Sequence, residues 1–525
     1  MIGRKVHSDG GRTAACRLKR DRAAKRLRAL LQSADDQPFL ELVWAADLLQ
    51  AGGGQAARRV LPDAPREFED ATAWDNPRRL HKWLLEDLSN EFLTTPRRQV
   101  RAGRQRLLNC RTFRTVAALY NEMKRLQDAE AAMQIARDRD VLAVMPKYAH
   151  RQFEWQHGFA NRPGFYRSAF IFGQGRARDY FVREYGITPA DFMLFGMAAW
   201  AAFTERSAIR PEGFVLAEAG ISREIVDAGL ALAAADILAI RHRATSDRRG
   251  TAETAYKRSA LRRSPIVSFA DGALTRAPLP SLIIDRVTNG LYLDLVAGPS
   301  ELRTEMGRLF EEYCLALVSR TCGPGVRGSF SYGTRSRPFA TPDILVDHDG
   351  ALEIVVECKA TRMSFDARFA DNRAAAVDRG YGELAKGIGQ IWRFASHIRR
   401  GLVTQPVSGS PVGCVLTLDP WLRMTAGEAD VLFTRAQAWA REFEPGIETV
   451  DQWPIAFVHV EDLEQLVQQT DTNGVLAVLR HAAEPASAGW GLNELRPGAS
   501  APDVDVDYPF GDDDLQALLP WWKRL

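Results

Sequence analysis

Two carboxylates and one ammonium group lie close together in this sequence, at Asp343, Glu357 and Lys359. A hard cation such as Mg²⁺ binds oxygen ligands, and two carboxylates plus the backbone carbonyl of Cys358 would leave positions for water and phosphate oxygens. A bound cation lowers the pKa of its water and offsets charge on a phosphate, while a nearby ammonium can orient that water. This combination favours phosphodiester hydrolysis.

The surrounding residues predict two strands joined by a turn. Residues 344–346 and 354–356 are apolar and mostly β-branched, with turn-forming residues between them. Side chains alternate along a strand, so one face of the second strand should carry its odd-numbered residues: Glu353, Val355, Glu357 and Lys359. The even-numbered residues, Cys358 included, should point to the other face.

The turn decides whether Asp343 joins that face, because a slip of one residue reverses every side chain. A two-residue turn would place Asp343 opposite Val356, on the wrong face. A three-residue turn at 348–350, with its glycine in the left-handed conformation, would place Asp343 opposite Val355 and diagonal to Glu357. We predict the three-residue turn, or a bulge with the same effect.

Helices are predicted on both sides of these strands. Residues 301–318 and 381–400 carry apolar side chains at helical spacing. The second helix has a polar face that would look toward the site. That face carries Lys386, Gln390, Arg393 and His397. Further elements are predicted downstream: strands at 412–418 and 455–460, and a closing helix at 461–469.

The pattern Pro342-Asp343, then Glu357-Cys358-Lys359, in this order of elements, resembles the PD-(D/E)xK superfamily of nucleases. The resemblance covers residues 300–470. It implies a restriction-endonuclease-like fold, Mg²⁺ or Mn²⁺ as cofactor, and metal ligands at Asp343, Glu357 and the Cys358 carbonyl.

The resemblance also implies two residues on the flanking helices. A glutamate on the first helix often joins the metal site, and Glu311 is preferred here to Glu312. Some branches of the superfamily carry a glutamine on the second helix with an aromatic residue four positions later. Gln390 and Phe394 are similar, although phenylalanine replaces tyrosine.

We therefore expect a metal-dependent deoxyribonuclease, by resemblance an endonuclease of a bacterial restriction or anti-phage defence system. The predicted catalytic residues are Asp343, Glu357, Lys359 and Gln390. The predicted DNA-binding residues are Arg335, Arg337, Lys386 and Arg393. A ribonuclease, a DNA repair exonuclease and a non-catalytic scaffold or nucleic-acid-binding protein that retains the fold remain open alternatives.

Length and composition predict a soluble multidomain chain. The 525 residues imply about three domains, with a mainly helical N-terminal half followed by a C-terminal α/β domain. The predicted divisions are 1–145 (helical, basic N-terminus), 146–298 (second helical or connecting domain), 299–470 (nuclease domain) and 471–525 (acidic tail). Within the second, residues 222–234 are a candidate recognition helix of a helix-turn-helix.

Local charge is more informative than the net charge of +3. Basic residues cluster at 4–28, at 97–111 and at 241–263. Each cluster could contact phosphates, but solvated helix faces have the same composition. The third is predicted to be a basic loop that could touch substrate.

Partners and location follow from what the chain lacks. No phosphate-binding glycine loop is evident, so a partner protein would have to supply a trigger or any ATP-driven motion. A homodimer would suit double-strand cleavage, but nothing in the chain requires one. The start lacks the apolar core of a signal peptide, and the apolar run 192–203 is too short to cross a bilayer. We predict a cytoplasmic protein with a buried helix at 192–203.

Overall fold

The computed structural model of this chain describes residues 6–97, 107–138, 145–248, 253–269, 273–362, 378–421, 426–496 and 507–524. They divide into two units. The first contains Met1–Asn161, Arg178–Ala297 and Pro520–Leu525, and the second contains Arg162–Ala177 and Gly298–Leu519. The predicted division at 298/299 lies one residue from the start of the second unit's main segment. The predicted divisions at 145/146 and 470/471 fall inside the units.

The chain before residue 300 is mainly helical in its described parts. Its helices are α1 (Val6–Leu31), α2 (Asp36–Leu48), α3 (Gly54–Val60), α4 (Arg66–Glu69), α5 (Lys82–Thr94), α6 (Phe113–Asp138), α7 (Met145–His157), α8 (Arg162–Phe172), α9 (Gly175–Tyr185), α10 (Pro189–Glu205), α11 (Arg223–Ala233), α12 (Ile237–Asp247), α13 (Ala260–Arg263), α14 (Ser281–Val287) and α15 (Leu291–Val296). This part of the chain also contains a small three-stranded sheet that was not predicted. Its strands, in spatial order, are β1 (Ala234–Asp236), β2 (Ile266–Ser268) and β3 (Thr275–Arg276).

The apolar run at 192–203 lies in α10, and most of its large side chains are buried, as predicted. Thr188 caps this helix by accepting a hydrogen bond from the Asp191 N–H, and Pro189 occupies its first turn. Among the described residues, no single helix is both long and apolar enough to cross a membrane. Helices α9 and α10 taken together are long and apolar enough, but the chain bends by 67° between them.

The third basic cluster differs from its prediction. Its first part is the helix α12 rather than a loop, residues 249–252 lie outside the described residues, and two of its arginines pair within the first unit. Arg241 donates to Asp36 (2.6 Å), and Arg262 donates to the buried carboxylate of Glu86 (2.7 Å). Buried carboxylates are stable in proteins only when they are paired. These arginines therefore act as structural partners of acidic residues.

The first basic cluster is exposed to solvent, whereas most of the second lies outside the described residues. Helix α1 exposes a series of basic side chains: Arg17, Lys19, Arg22, Lys25, Arg26 and Arg28. In the second cluster, residues 98–106 lie outside the described residues, and Arg97 pairs with Asp36.

The candidate recognition helix is α11. Ser222 caps it by accepting a hydrogen bond from the Ile225 N–H. Its exposed residues include Arg223, Glu224 and Asp227, and Arg223 pairs with Asp227 at 2.9 Å. Excess negative charge on this surface does not favour contact with phosphates.

The second unit is built on a five-stranded mixed sheet, in the order β10-β9-β8-β7-β4. Its strands are β4 (Val326–Gly328), β7 (Ile344–His348), β8 (Ala351–Lys359), β9 (Val407–Thr417) and β10 (Ile455–His459), and a separate hairpin consists of β5 (Ser331–Thr334) and β6 (Arg337–Ala340). β4, β7 and β8 pair antiparallel, whereas β8, β9 and β10 run parallel.

A bulge in β8 sets the register of the central hairpin. The turn is the two-residue Asp349-Gly350 type, with both residues at positive φ (51° and 80°), so the predicted three-residue turn is wrong. The strands pair Asp347 with Leu352 but Val346 with Ile354, which leaves Glu353 as an extra residue. The bulge has the effect that the alternative prediction required, since one extra residue reverses the faces beyond it.

Glu353 itself does not lie with Glu357 as predicted. Its carboxylate accepts a hydrogen bond from Arg480 (2.6 Å), on a helix that packs against the opposite face of the sheet. The bulge is the physical reason, because the alternation assumed for β8 is broken at this residue.

Helices cover both faces of this sheet. The remaining described helices are α16 (Ser300–Cys322), α17 (Asp378–Arg399), α18 (Ala426–Phe443), α19 (Val460–Leu466), α20 (Thr472–Ala482) and α21 (Asp512–Leu518). α17 and α18 pack on the face that carries Leu345 and Val355. α16, α19 and α20 cover the face of Val346 and Val356. The chain thus has a helical N-terminal half and a C-terminal unit that combines helices with a mixed sheet. The sequence analysis predicted no helix between β9 and β10, where the structure has α18.

Ion pairs attach α8 and the C-terminal tail to this unit, buried at α8 and exposed at the tail. Arg167 on α8 donates to Glu464 (2.5 Å) and Glu461 (2.7 Å) on α19. Part of the acidic tail also packs here, since Arg320 makes two hydrogen bonds to Asp514 (2.6 and 2.7 Å) and Phe510 is buried. Residues 497–506, which include Asp503 and Asp505, lie outside the described residues.

Candidate active site

The two predicted strand carboxylates lie side by side at the end of the central hairpin. Ile344 pairs with Val356, so continuation of that register places Asp343 opposite Glu357 itself, and the predicted position opposite Val355 is wrong by two residues. Opposed residues of an antiparallel pair share a face. Asp343 Oδ2 accepts a hydrogen bond from the backbone N–H of Cys358 (2.7 Å), which fixes the start of β7 to β8. Burial raises the pKa of Asp343, although this hydrogen bond and Lys359 oppose the shift.

Glu357 is the most buried carboxylate of the site, with 2% of its surface exposed. Its Oε1 accepts a hydrogen bond from Lys359 Nζ (2.7 Å), and its Oε2 is buried with no hydrogen-bond partner. Burial raises the pKa of Glu357 to about 7; the charge of Lys359 lowers it and that of Asp343 raises it further. A buried oxygen without a partner is costly, so Glu357 has an oxygen available for a ligand.

Lys359 links the strand part of the site to the helix α17. Its Nζ donates to Glu357 and also contacts Gln390 Oε1 at 3.4 Å. Burial alone would lower the pKa of Lys359, but Glu357 and Asp343 raise it above its ordinary value. The ammonium therefore stays charged at neutral pH. Gln390, predicted from the helix, is thus within reach of the predicted strand residues.

Glu311 and Glu312 have different surroundings on α16. Glu312 pairs with Arg308 one turn away along the exposed surface. Glu311 is also exposed, but neighbouring protein atoms partly desolvate its carboxyl group. That partial desolvation and then the charge of Asp343 raise the pKa of Glu311, which Lys359 opposes. Glu311 is thus in the electrostatic field of the site.

These residues suit a hard divalent cation. Asp343, Glu357 and the Cys358 carbonyl would supply oxygen ligands, with Glu311 on the adjacent helix, and the partnerless Glu357 Oε2 is an oxygen that a cation would satisfy. Across the residues that the structure describes, no three side chains of His, Cys, Asp or Glu form a ready metal-binding group. A Mg²⁺ site of two carboxylates, a carbonyl and waters does not require one.

The sequence did not single out Gly387, which packs directly over the site. A Cβ atom at this position would lie 3.0 Å from Lys359 Cε and 3.3 Å from Glu357 Cγ. Glycine thus lets α17 approach the strand closely. The available signal was the presence of Gly382, Gly387 and Gly389 inside one predicted helix, where glycine is unfavourable unless packing requires it.

Two of the four predicted DNA-binding residues lie beside one aromatic ring, and the other two are exposed on the same two elements. Arg335 lies exposed in the turn of the β5–β6 hairpin. Arg337 lies 5.3 Å and Arg393 5.8 Å from the ring centre of Phe339, so the hairpin and α17 meet there. Lys386 is exposed on α17, seven residues before Arg393 and on the same side of the helix.

His397 does not share the open polar face as predicted. It is buried beneath the hairpin, where its Nδ1 is 2.8 Å from the Tyr332 hydroxyl and its Nε2 is 3.5 Å from Glu444. Burial lowers its pKa. The reason is tertiary: the β5–β6 hairpin packs over the last turns of α17, which local periodicity could not show.

Comparisons with protein-family models, curated proteins and solved structures found no match to this chain.

Proposed function

We propose that this protein is a metal-dependent deoxyribonuclease whose C-terminal unit has the restriction-endonuclease-like fold. The observation that carries the proposal is the side-by-side arrangement of Asp343 and Glu357, with Lys359 bonded to a glutamate whose second oxygen has no partner. An exposed salt bridge on a surface hairpin would not explain this arrangement, because Glu357 is buried.

The order of elements supports the same proposal. A helix precedes a three-stranded antiparallel meander, a helix follows, and parallel strands complete the sheet. The predicted residues come from α16 (Glu311), from the central hairpin and from α17 (Gln390), and they converge at one end of β8. Convergence of separately predicted residues is stronger support than the short motif alone.

In the proposed reaction, water adds to phosphorus and the bond from phosphorus to one ester oxygen breaks, which leaves a phosphate monoester and an alcohol. A divalent cation, when bound, would make the water more acidic and offset charge on the phosphate. Asp343 and Glu357 would hold that cation. Lys359 would contact the attacking water or a nonbridging oxygen, and Gln390 would orient its ammonium.

The proposed DNA surface consists of Arg335, Arg337, Lys386 and Arg393. A two-stranded antiparallel ribbon fits the major groove of DNA, and β5–β6 is such a ribbon with arginines at its turn. A role in restriction or anti-phage defence, in the cytoplasm and with a partner protein as trigger, rests on the resemblance and is part of the proposal by analogy.

The test is digestion of supercoiled plasmid, linear duplex, single-stranded DNA and RNA with Mg²⁺, Mn²⁺ or chelator. Asp343→Asn keeps an oxygen that can accept from the Cys358 N–H, so it removes charge with little change of shape. We expect metal-dependent cleavage of DNA that Asp343→Asn and Lys359→Met both abolish. Nicked circles would identify an endonuclease, and degradation of linear DNA alone an exonuclease.

Two outcomes would contradict the proposal. Cleavage of RNA but not of DNA would show that the protein is a ribonuclease rather than a deoxyribonuclease. Cleavage that survives both substitutions would show that the active site lies elsewhere. As a control, an unchanged melting temperature of the purified variants would exclude misfolding as the cause of lost activity.

A further inference from the structure

A large cavity lies within the first unit, between the second half of α1, the end of α5 and the residues that follow α12. Its volume is about 470 Å³, which is within the range of pockets that bind small ligands. Helix α6 supplies the remaining wall. Every described residue that lines it belongs to the first unit, and none of them is a residue of the candidate active site.

The lining of this cavity carries more positive than negative charge. It contains two carboxylates, Glu91 and Glu130, and five cationic side chains: Arg20, Lys25, Arg28, Arg248 and Lys257. Among the described lining residues, the excess is therefore three positive charges. Cations that line a concave site concentrate anions there. The lining thus favours an anionic ligand.

Glu91 cannot neutralise this excess, because each of its oxygens already has a cation. Its Oε1 accepts a hydrogen bond from Lys257 Nζ (2.6 Å), and its Oε2 accepts one from Arg248 (3.2 Å). Lys257 and Glu91 are both buried. Burial lowers the pKa of Lys257, and this shift is opposed by Glu91 and reinforced by Arg248. An anion in the cavity would therefore stabilise the charged form of Lys257.

Glu130 is occupied in the same way. Its Oε2 accepts hydrogen bonds from the backbone N–H of Thr254 (2.8 Å) and from the hydroxyl group of the same residue (2.7 Å). Its Oε1 lies 3.7 Å from Arg20 Nε. Both carboxylates of the lining thus have partners other than Lys25 and Arg28.

Lys25 and Arg28 are exposed, so they are the cations that an incoming anion would meet first. They lie three residues apart on α1 and are therefore neighbours on one side of that helix. Within the part of the chain that the structure describes, neither forms an ion pair with a carboxylate. Neighbouring like charges on a helix repel each other. A phosphate group would remove this repulsion, because lysine and arginine both donate charge-assisted hydrogen bonds to its oxygens.

Another wall of the cavity is apolar. It consists of Leu27 and Leu31 on α1 and Leu126 on α6, all of them buried. An inorganic anion would leave this leucine wall in contact with water, whereas an organic group attached to the anion would cover it. Because the removal of apolar surface from water is favourable, the lining fits a ligand with both a charged and an organic part.

We propose that this cavity binds a small organic phosphate of about the size of a mononucleotide. Its phosphate groups contact Lys25, Arg28, Arg248 and Lys257, and its organic part lies against the leucine wall. A DNA duplex is too wide to enter the cavity. The proposal goes beyond the nuclease and does not depend on it, because the residues that carry it lie in the first unit.

The test is isothermal titration calorimetry of the full chain with ATP, pyrophosphate and adenosine as probes. Chelator is present throughout, so that no metal ion links a probe to Asp343 and Glu357. We expect ATP to bind at one site per chain and more tightly than pyrophosphate, because ATP adds an organic part. Adenosine lacks phosphate and should bind at least about 100-fold more weakly than ATP.

The double variant Lys25→Gln, Arg28→Gln should bind ATP about 10- to 100-fold more weakly, because two charged hydrogen-bond donors are lost. The double variant Lys19→Gln, Arg22→Gln is the matched control. It removes one lysine and one arginine at the same spacing from exposed positions of the same helix, and neither residue is among those that line the cavity. It should change the affinity by about twofold or less, since salt screens distant charges.

An equal loss of affinity in the two double variants would overturn the proposal, because it would show a general attraction to a basic helix. So would an absence of binding by both ATP and pyrophosphate at millimolar concentration. Equal affinity for these two probes would overturn the role of the leucine wall. The two double variants should have the melting temperature of the natural protein without ligand, which excludes misfolding as the cause of weaker binding.

Two further measurements separate this cavity from the proposed nuclease. Lys359→Met should bind ATP as the natural protein does, and a loss of binding in this variant would assign the probe to the candidate active site instead. Short single-stranded DNA should displace ATP no better than pyrophosphate does. Displacement at lower concentrations would overturn the proposal and assign the cavity to a nucleic-acid strand.

Discussion

Gly387 and Lys359 approach each other so closely that a methyl group on the glycine would lie 3.0 Å from the lysine Cε. The end of a lysine side chain is flexible, so it can move away, but it would then lose its positions beside Glu357 and Gln390. The closeness of α17 to β8 is therefore a condition for the geometry of the site.

Gly387→Ala is expected to lower the rate of DNA cleavage by about 10- to 100-fold, because a small misplacement of a catalytic group has that effect. The melting temperature should be unchanged or slightly higher, since alanine favours a helix over glycine by about 1 kcal/mol. Gly382→Ala on the same helix is the control, because nothing lies within 4 Å of its Cβ position. Equal rates for both variants would contradict this account.

Glu311→Gln should weaken activation by Mg²⁺ by about 10- to 100-fold, as expected for a supporting group of a metal site. Glu312→Gln should have no such effect, because Glu312 pairs with Arg308 at the surface. The measurement is the Mg²⁺ concentration for half-maximal cleavage. If the two variants behave alike, Glu311 does not support the metal.

The stability of the metal-free protein should depend on the ionisation of Glu357. Burial raises its pKa from an ordinary value of 4.5 to about 7. A carboxyl whose folded-state pKa is raised stabilises the fold below its unfolded pKa, and this contribution is lost as pH rises toward the folded pKa. The loss between pH 4.5 and 7 is at most about 3 kcal/mol.

The check is the free energy of unfolding of the natural protein and of Glu357→Gln in chelator, from pH 5 to pH 8. The natural protein should lose stability relative to the variant as the pH rises. Addition of Mg²⁺ should restore stability to the natural protein at pH 8 but not to the variant. A constant difference across this range would show that Glu357 has an ordinary pKa.

Arg167→Met should destabilise the second unit by about 3–5 kcal/mol, since it leaves Glu464 buried without its cation. Arg308→Met removes the exposed pair with Glu312 and should change the free energy of unfolding by about 1 kcal/mol or less. Urea denaturation gives both values. A small effect at Arg167 would mean that Glu464 accepts a proton at little cost.

Arg335→Gln and Arg337→Gln should each weaken DNA binding and lower the slope of log affinity against log salt by about 1. Arg441→Gln, an exposed change on α18, is the control. Binding is measured in chelator at several salt concentrations. An unchanged slope in the first two variants would show that the hairpin does not contact phosphates.

The sequence by itself determined the local features of the candidate site. Alternation along β8 predicted that Glu357 and Lys359 share a face and that Cys358 points away, and the helical pattern predicted a helix that brings Gln390 near them. Each of these features depends on neighbours within a few residues, and the periods of strands and helices express them directly.

Only the tertiary structure decided the face of Asp343, the position of Glu353 and the partners of the basic residues, because these depend on residues distant in the chain. The bulge at Glu353 brings Asp343 to the correct face where the turn alone would not, and Glu353 leaves that face for Arg480. The third basic cluster is predicted to be a loop that could touch substrate, but two of its arginines donate instead to Glu86 on α5 and Asp36 on α2. Local periodicity carries no information on which partner a charge or a glycine will meet across the fold, and packing of the whole unit selects it.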